Sequence, residues 1–231
     1  MNIRGEPVAD VEHTLREVQY RFQIRRGWEI WQYLVKGLNI SPGNPASVNQ
    51  AASAGVSRTR ILASMSLLIA LVFVATSSIS IPIPATEGYF NLGDSMVFLA
   101  SLIFGSVIGS LAGGIGSALS DVYLGYAIYA PGTLVIKGLE GYLTGLIFLF
   151  LTEKKHKVGL SSPAIFATVS CVFGGFEMVL GYFIYELVFL GVAAIAEVPA
   201  NLGQVFFGTL IAVTAYSLVG KRLEQYFKGV P

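Results

Sequence analysis

The chain has 231 residues, 54% of them apolar and 13% charged, with a formal net charge of +1. The charged share is about half that of an average soluble domain, and a mean hydropathy of +0.66 with apolar runs of membrane-crossing length excludes a soluble globule, a disordered chain, collagen and a coiled coil. So small a net charge gives no basic field for nucleic acid, and the single Cys171 cannot close an internal disulfide.

Eight of the 15 Lys and Arg lie at or before Arg60. This divides the chain into a polar head, residues 1–57, and a membrane body, residues 58–231. In the head, Val11, Leu15, Val18, Phe22, Trp28, Trp31, Leu34 and Leu38 recur at three- and four-residue steps, which predicts an amphipathic cytoplasmic helix from about Val8 to Leu38. Lying on the inner membrane surface or docking a partner would both use such a face. The Ser41-Pro-Gly-Asn-Pro45 turn ends it, and Asn49 to Ser57 reads as a linker. The head has no compact apolar core followed by a small-residue cleavage site, so it is not a secretory signal.

The body begins with an apolar run from Ile61 to Ile79 that stops at Ser80-Ile-Pro-Ile-Pro84, where two prolines break helix and favour extended backbone. After the polar connection Ala85 to Asn91, about 40 residues from Leu92 to Ala130 carry only Asp94 and Asp121 as charges. At about 20 residues per crossing this is two helices, with the turn between Gly105 and Gly109. A fourth span covers Thr133 to Leu151, a long tilted or kinked fifth covers Pro163 to Val192, and the sixth covers Ala200 to Val219. The sequence therefore predicts an all-α integral membrane protein of six transmembrane helices in the cell membrane. Arg58 and Arg60, the cluster Lys154, Lys155 and Lys157, and Lys221 with Arg222 fall on one side, while the three opposite connections carry no Lys or Arg. The positive-inside rule then places both termini in the cytoplasm.

Small residues recur every four positions at Gly105, Gly109 and Gly113, at Ser106, Ser110 and Gly114, and at Gly141 and Gly145, which predicts close helix packing within the bundle. Charges at membrane depth are costly and persist only where they face protein, a cavity or a partner. Asp94, Asp121, Lys137, Glu140, Glu186 and Glu197 gather in the outer half, with Glu177 mid-way along the fifth span, and this asymmetry points to an outward-facing polar cavity. Lys137 and Glu140 share a helix face and could equally neutralise each other. Glu177 and Glu186, nine residues apart, are half a turn out of phase, so a straight helix cannot aim both at one cavity. Asn201 and Gln204 share a face and offer amide donors and acceptors suited to a heterocycle or to interhelical bonding.

The sequence contains no phosphate-binding Gly-x-x-x-x-Gly-Lys-Ser/Thr, so energy would have to come from other subunits. His13 and His156 both lie outside the spans, which disfavours an intramembrane serine protease and a buried histidine metal site. No catalytic residue, metal ligand or cofactor is predicted.

In order along the chain stand Ala70-Leu-Val-Phe-Val-Ala75, Ile81-Pro-Ile-Pro84, Gly88-Tyr-Phe-Asn-Leu-Gly-Asp94, the Gly105 to Gly116 stretch with Ser117-Ala-Leu-Ser-Asp121, Leu124-Gly-Tyr126, Ala130-Pro131 and Ile136-Lys-Gly-Leu-Glu-Gly141. With Tyr182, Glu186, Glu197, Asn201 and Gln204 downstream, this series over residues 60–222 resembles the substrate-binding S components of energy-coupling factor (ECF) transporters, riboflavin-transporter-like branch. The resemblance implies a six-helix protein that takes a vitamin or vitamin precursor from outside and delivers it by associating with a membrane T subunit and two ABC ATPases. Riboflavin is slightly favoured over a thiamine-related pyrimidine or another flat heterocycle; a stand-alone secondary transporter is the alternative from another class. The resemblance also implies substrate contacts at Tyr89, Phe90, Asn91, Asp94, Lys137, Glu140, Tyr182, Glu186, Asn201 and Gln204, with the connection carrying Tyr89 to Asn91 as a cover over the ligand. Docking to the T subunit is implied for the first helix at Ser66, Ala70, Val74 and Ala75, although the family's Ala-x-x-x-Ala row is imperfect here, since Ala75 lies one step off.

Overall fold

The computed structural model describes residues 58–86, 88–153 and 162–228. The amphipathic helix expected at Val8 to Leu38 and the basic cluster at 154–157 lie outside the described residues. Six α-helices are present among the described residues: α1 (Arg58–Ser78), α2 (Gly93–Phe104), α3 (Ser106–Leu124), α4 (Ala130–Glu153), α5 (Pro163–Leu190) and α6 (Val198–Lys228). Between α1 and α2 lies a hairpin of β1 (Ser80–Ile83) and β2 (Gly88–Asn91), and the 3-10 turn Gly191–Ala196 joins α5 to α6.

Among the described residues, four stretches are long and apolar enough to cross a membrane: Ser106–Leu124, Ala130–Thr152, Pro163–Ala196 and Val198–Leu218. The described apolar stretches Met65–Ser78 and Gly93–Phe104 are shorter. At 1.5 Å per residue the 12 residues of α2 rise about 18 Å, little more than half of a hydrocarbon core about 30 Å thick. The 92–130 stretch does form two helices that part at Gly105, but they are unequal, and only the second is long enough to cross a membrane by itself. The helices break where the glycines allow it: Gly105 at φ 89° separates α2 from α3, and Gly125 in the left-handed region at φ 91° closes α3.

The extended backbone enforced by Pro82 and Pro84 becomes an antiparallel pair, Ser80 facing Asn91 and Ile83 facing Gly88. The small-residue stripes serve packing between α3 and α4. A Cβ added to Gly141 would sit 2.5 Å from the Gly109 carbonyl oxygen, and one added to Gly114 would sit 2.6 Å from that of Leu134; only hydrogen fits there. On α1 the buried Val72 packs on Val97, Ala100 and Ala112, whereas Ser66, Ala70 and Val74 are exposed and Ala75 is half-buried. A second apolar cluster of Phe98, Leu102, Phe148, Phe166, Ala167, Cys171 and Ala212 fills the bundle one to two turns beyond Asp94.

Candidate functional site

Where the C-terminal ends of α1, α3 and α5 meet the N-terminal ends of α4 and α6, a small polar cavity opens beneath the hairpin. Helical periodicity builds its wall, because residues four apart stack on one face. α3 contributes Ser117 and Asp121, α4 contributes Thr133 and Lys137, α5 contributes Tyr182 and Glu186, and α6 contributes Asn201 and Gln204 at three-residue spacing. Gly88, Tyr89 and Asn91 of β2 close the top, with Thr76, Tyr129 and Glu197 completing the lining.

Three long-range contacts tie the hairpin to the helices. The Tyr89 hydroxyl donates to Asp121 Oδ1 at 2.6 Å, while its ring stacks on Tyr126 with centroids 4.7 Å apart. Thr86 donates from its hydroxyl to Glu197 Oε2, and the Asn91 backbone N–H donates to Gln204 Oε1 at 3.2 Å. Tyr129 adds a fourth bond, from its hydroxyl to the Thr86 carbonyl at 2.6 Å. Burial, reinforced by the neighbouring Asp121 carboxylate, pushes the Tyr89 phenol up from its usual value, so it stays a donor across the physiological range. Burial likewise raises the Glu197 carboxyl, opposed by the bond from Thr86.

Lys137 sits between two carboxylates. Its ammonium is paired with Asp94 and lies 3.1 Å from Glu140 Oε2; all three side chains are buried. The i,i+3 pairing of Lys137 with Glu140 is thus real, and Asp94 joins it from α2.

Of the ten contacts implied by the resemblance, seven line the cavity: Tyr89, Asn91, Lys137, Tyr182, Glu186, Asn201 and Gln204. The other three lie behind it or beside it. Asp94 and Glu140 back Lys137, and the Phe90 ring packs edge-on against Phe207 at 6.5 Å. The two amides are partly spent on structure, since Gln204 Nε2 donates to Asn201 Oδ1 at 2.8 Å while its oxygen holds Asn91. Glu177 stays out of the lining and Glu186 enters it, as their half-turn offset requires. Thr76, Gly88, Ser117, Asp121, Tyr129, Thr133 and Glu197 also line the cavity without having been among those ten; the four-residue steps Ser117–Asp121 and Thr133–Lys137 are the sequence signal for four of the wall positions.

Comparison with known proteins matches residues 56–221 to the family model for the S component of ECF-type riboflavin transporters. An uncharacterised protein of Pyrococcus woesei is 39% identical over 153 residues, covering 66% of this chain and 96% of the relative. The thiamine precursor transporter HmpT of Lactococcus lactis subsp. cremoris is 31% identical over 152 residues, 65% of this chain and 81% of the relative. A UPF0397 protein of Streptococcus pneumoniae is 36% identical over 77 residues, 33% of this chain and 42% of the relative. With a family match that spans the hairpin and the whole cavity wall, and with helices apolar enough to cross the bilayer repeatedly, this chain belongs to the ECF-type riboflavin transporter S-component family, as a multi-pass protein of the plasma membrane with a transport role.

Proposed function

We propose that the chain captures a vitamin or vitamin precursor from the outer side and hands it on by associating with a membrane T subunit and two ATPases. The observation that carries this reading is the covered polar cavity at one end of the bundle, standing on a packed apolar floor. A pocket that is concave, mostly preformed and set with a few convergent polar groups is the usual form of a small-molecule site. In this reading α1 and α2 cross the membrane with the four longer helices, making six spans with both termini in the cytoplasm. Tyr89, Asn91, Lys137, Tyr182, Glu186, Asn201 and Gln204 contact the substrate, with Phe90, Asp94 and Glu140 holding those contacts in place. The relative named for thiamine precursor transport and the family named for riboflavin both favour a flat nitrogen heterocycle.

The exposed row Ser66, Ala70 and Val74 on α1, flanked by Ala75, is the surface that meets the T subunit. Two measurements test the assignment. Mass spectrometry of small molecules released from the detergent-purified chain, prepared without nucleotide, should find a bound heterocycle; a requirement for ATP would refute the capture role. Ala70→Trp should abolish uptake in cells while leaving ligand binding intact in detergent, and equal loss of both would return Ala70 to internal packing.

A further inference from the structure

Hydrogen-bond and charge inventories of the cavity wall are lopsided. Asp121 and Glu186, 3% and 2% exposed, each keep one carboxylate oxygen, Oδ2 and Oε2 respectively, without a hydrogen-bond partner. Glu197 adds a third carboxyl to the lining. Against these stands Lys137, whose ammonium is already held by Asp94 and Glu140. One of its protons is given to Asp94, and its charge is shared with Glu140. Among the described residues of the wall and its immediate backing, five carboxyls thus accompany one ammonium. A buried ionised carboxylate without a partner is strongly unfavourable, and an unmade bond to such a group costs more than one to a neutral group. The hydroxyls of Thr76 and Ser117, also unpartnered, can donate or accept and do not redress the balance.

We propose that the missing partner is the ligand: the cavity takes an amino-substituted nitrogen heterocycle that offers an N–H donor edge and carries, or acquires on binding, a positive charge. Its exocyclic amino group and protonated ring nitrogen face Asp121 Oδ2 and Glu186 Oε2, while the second-proton donors of Asn201 and Gln204 meet its remaining acceptors. A neutral ring system that presents mainly carbonyl oxygens leaves both carboxylates unpaired and binds less well. This rests on the substrate-capture reading and narrows its ligand class.

The test uses the full-length chain in detergent and two probes of one shape, 4-amino-2-methylpyrimidine and 2-methylpyrimidin-4-one, with riboflavin as a third. Calorimetric titration should show the amino probe binding at least tenfold more tightly than the oxo probe. Glu186→Gln and Asp121→Asn should each cut that ratio at least fivefold, with thermal unfolding of both variants followed in parallel. If one variant fails to fold, the other and the wild-type ratio decide the matter. Equal affinities, a preference for the oxo probe, or riboflavin binding that is indifferent to both substitutions would overturn the donor-edge assignment while leaving substrate capture standing. Failure of all three probes, with no small molecule released from the purified chain, would overturn both.

Discussion

Removing a single oxygen from Tyr89 should loosen the hairpin without disturbing its packing. In Tyr89→Phe the ring keeps its stack on Tyr126, but Asp121 loses the 2.6 Å bond to its Oδ1. Oδ2 already lacks a hydrogen-bond partner, so the substitution takes the Tyr89 bond from a carboxylate that is buried. A bond to a charged acceptor contributes about 1.5–3 kcal/mol, so opening of the hairpin should become roughly 10- to 150-fold more frequent. Hydrogen exchange of the Asn91 amide reads this directly, because its N–H is held by Gln204 across the cavity and can exchange only when the hairpin lifts. Exchange at Asn91 should accelerate by that factor while amides in α4 and α5 stay unchanged. Unaltered exchange at Asn91, or acceleration shared equally by the helices, would refute the view that the Tyr89–Asp121 bond latches the hairpin.

Lys137→Met should lower stability by about 3–5 kcal/mol, because it leaves Asp94 and Glu140 buried without their cation; adding Asp94→Asn should recover part of the loss in a denaturation assay. Gly141→Ala forces a Cβ to 2.5 Å from the Gly109 carbonyl oxygen and should cost about 1–3 kcal/mol, whereas Gly138→Ala, with its nearest neighbour at 3.6 Å, should be nearly neutral. For Glu197 the sign follows from burial: its folded pKa is raised, so the folded state holds the proton more tightly and its contribution favours folding at low pH. That contribution is lost as pH rises from the ordinary carboxyl range through the folded value, and Glu197→Gln should flatten the corresponding fall in melting temperature.

Much of the architecture is written in local chemistry. Pro82 and Pro84 end α1, Gly105 and Gly125 bound α3, and the apolar runs mark the long helices. The bounds of α2 are legible too, since the run opening at Leu92 and the turn placed at Gly105 to Gly109 bracket Gly93–Phe104; that so short a helix stands beside four of membrane-crossing length is decided by the tertiary arrangement. The site divides similarly. Lys137 and Glu140 declare each other by three-residue spacing, but Asp94 reaches them from 43 residues away. Asp121 and Glu197 stand out as charges at membrane depth, yet nothing local tells that Tyr89 and Thr86 will donate to them, the latter across 111 residues. The four-residue step from Ser117 to Asp121 identifies a helix face; which space that face borders is decided only by tertiary packing.

The floor beneath the cavity has a consequence for permeability. Phe98 and Leu102 succeed Asp94 on α2 and interlock with Phe148 and Phe166, every one of them at most 4% exposed. A polar solute that has reached Lys137 meets close-packed hydrocarbon rather than a continuing file of water, and interiors packed to this density do not part for a molecule of heterocycle size. Alone in a sealed vesicle, the chain should therefore behave as a stoichiometric sponge, holding solute in proportion to the number of copies that face it and letting none leak through, so that a gradient across the bilayer survives however much of the protein is present.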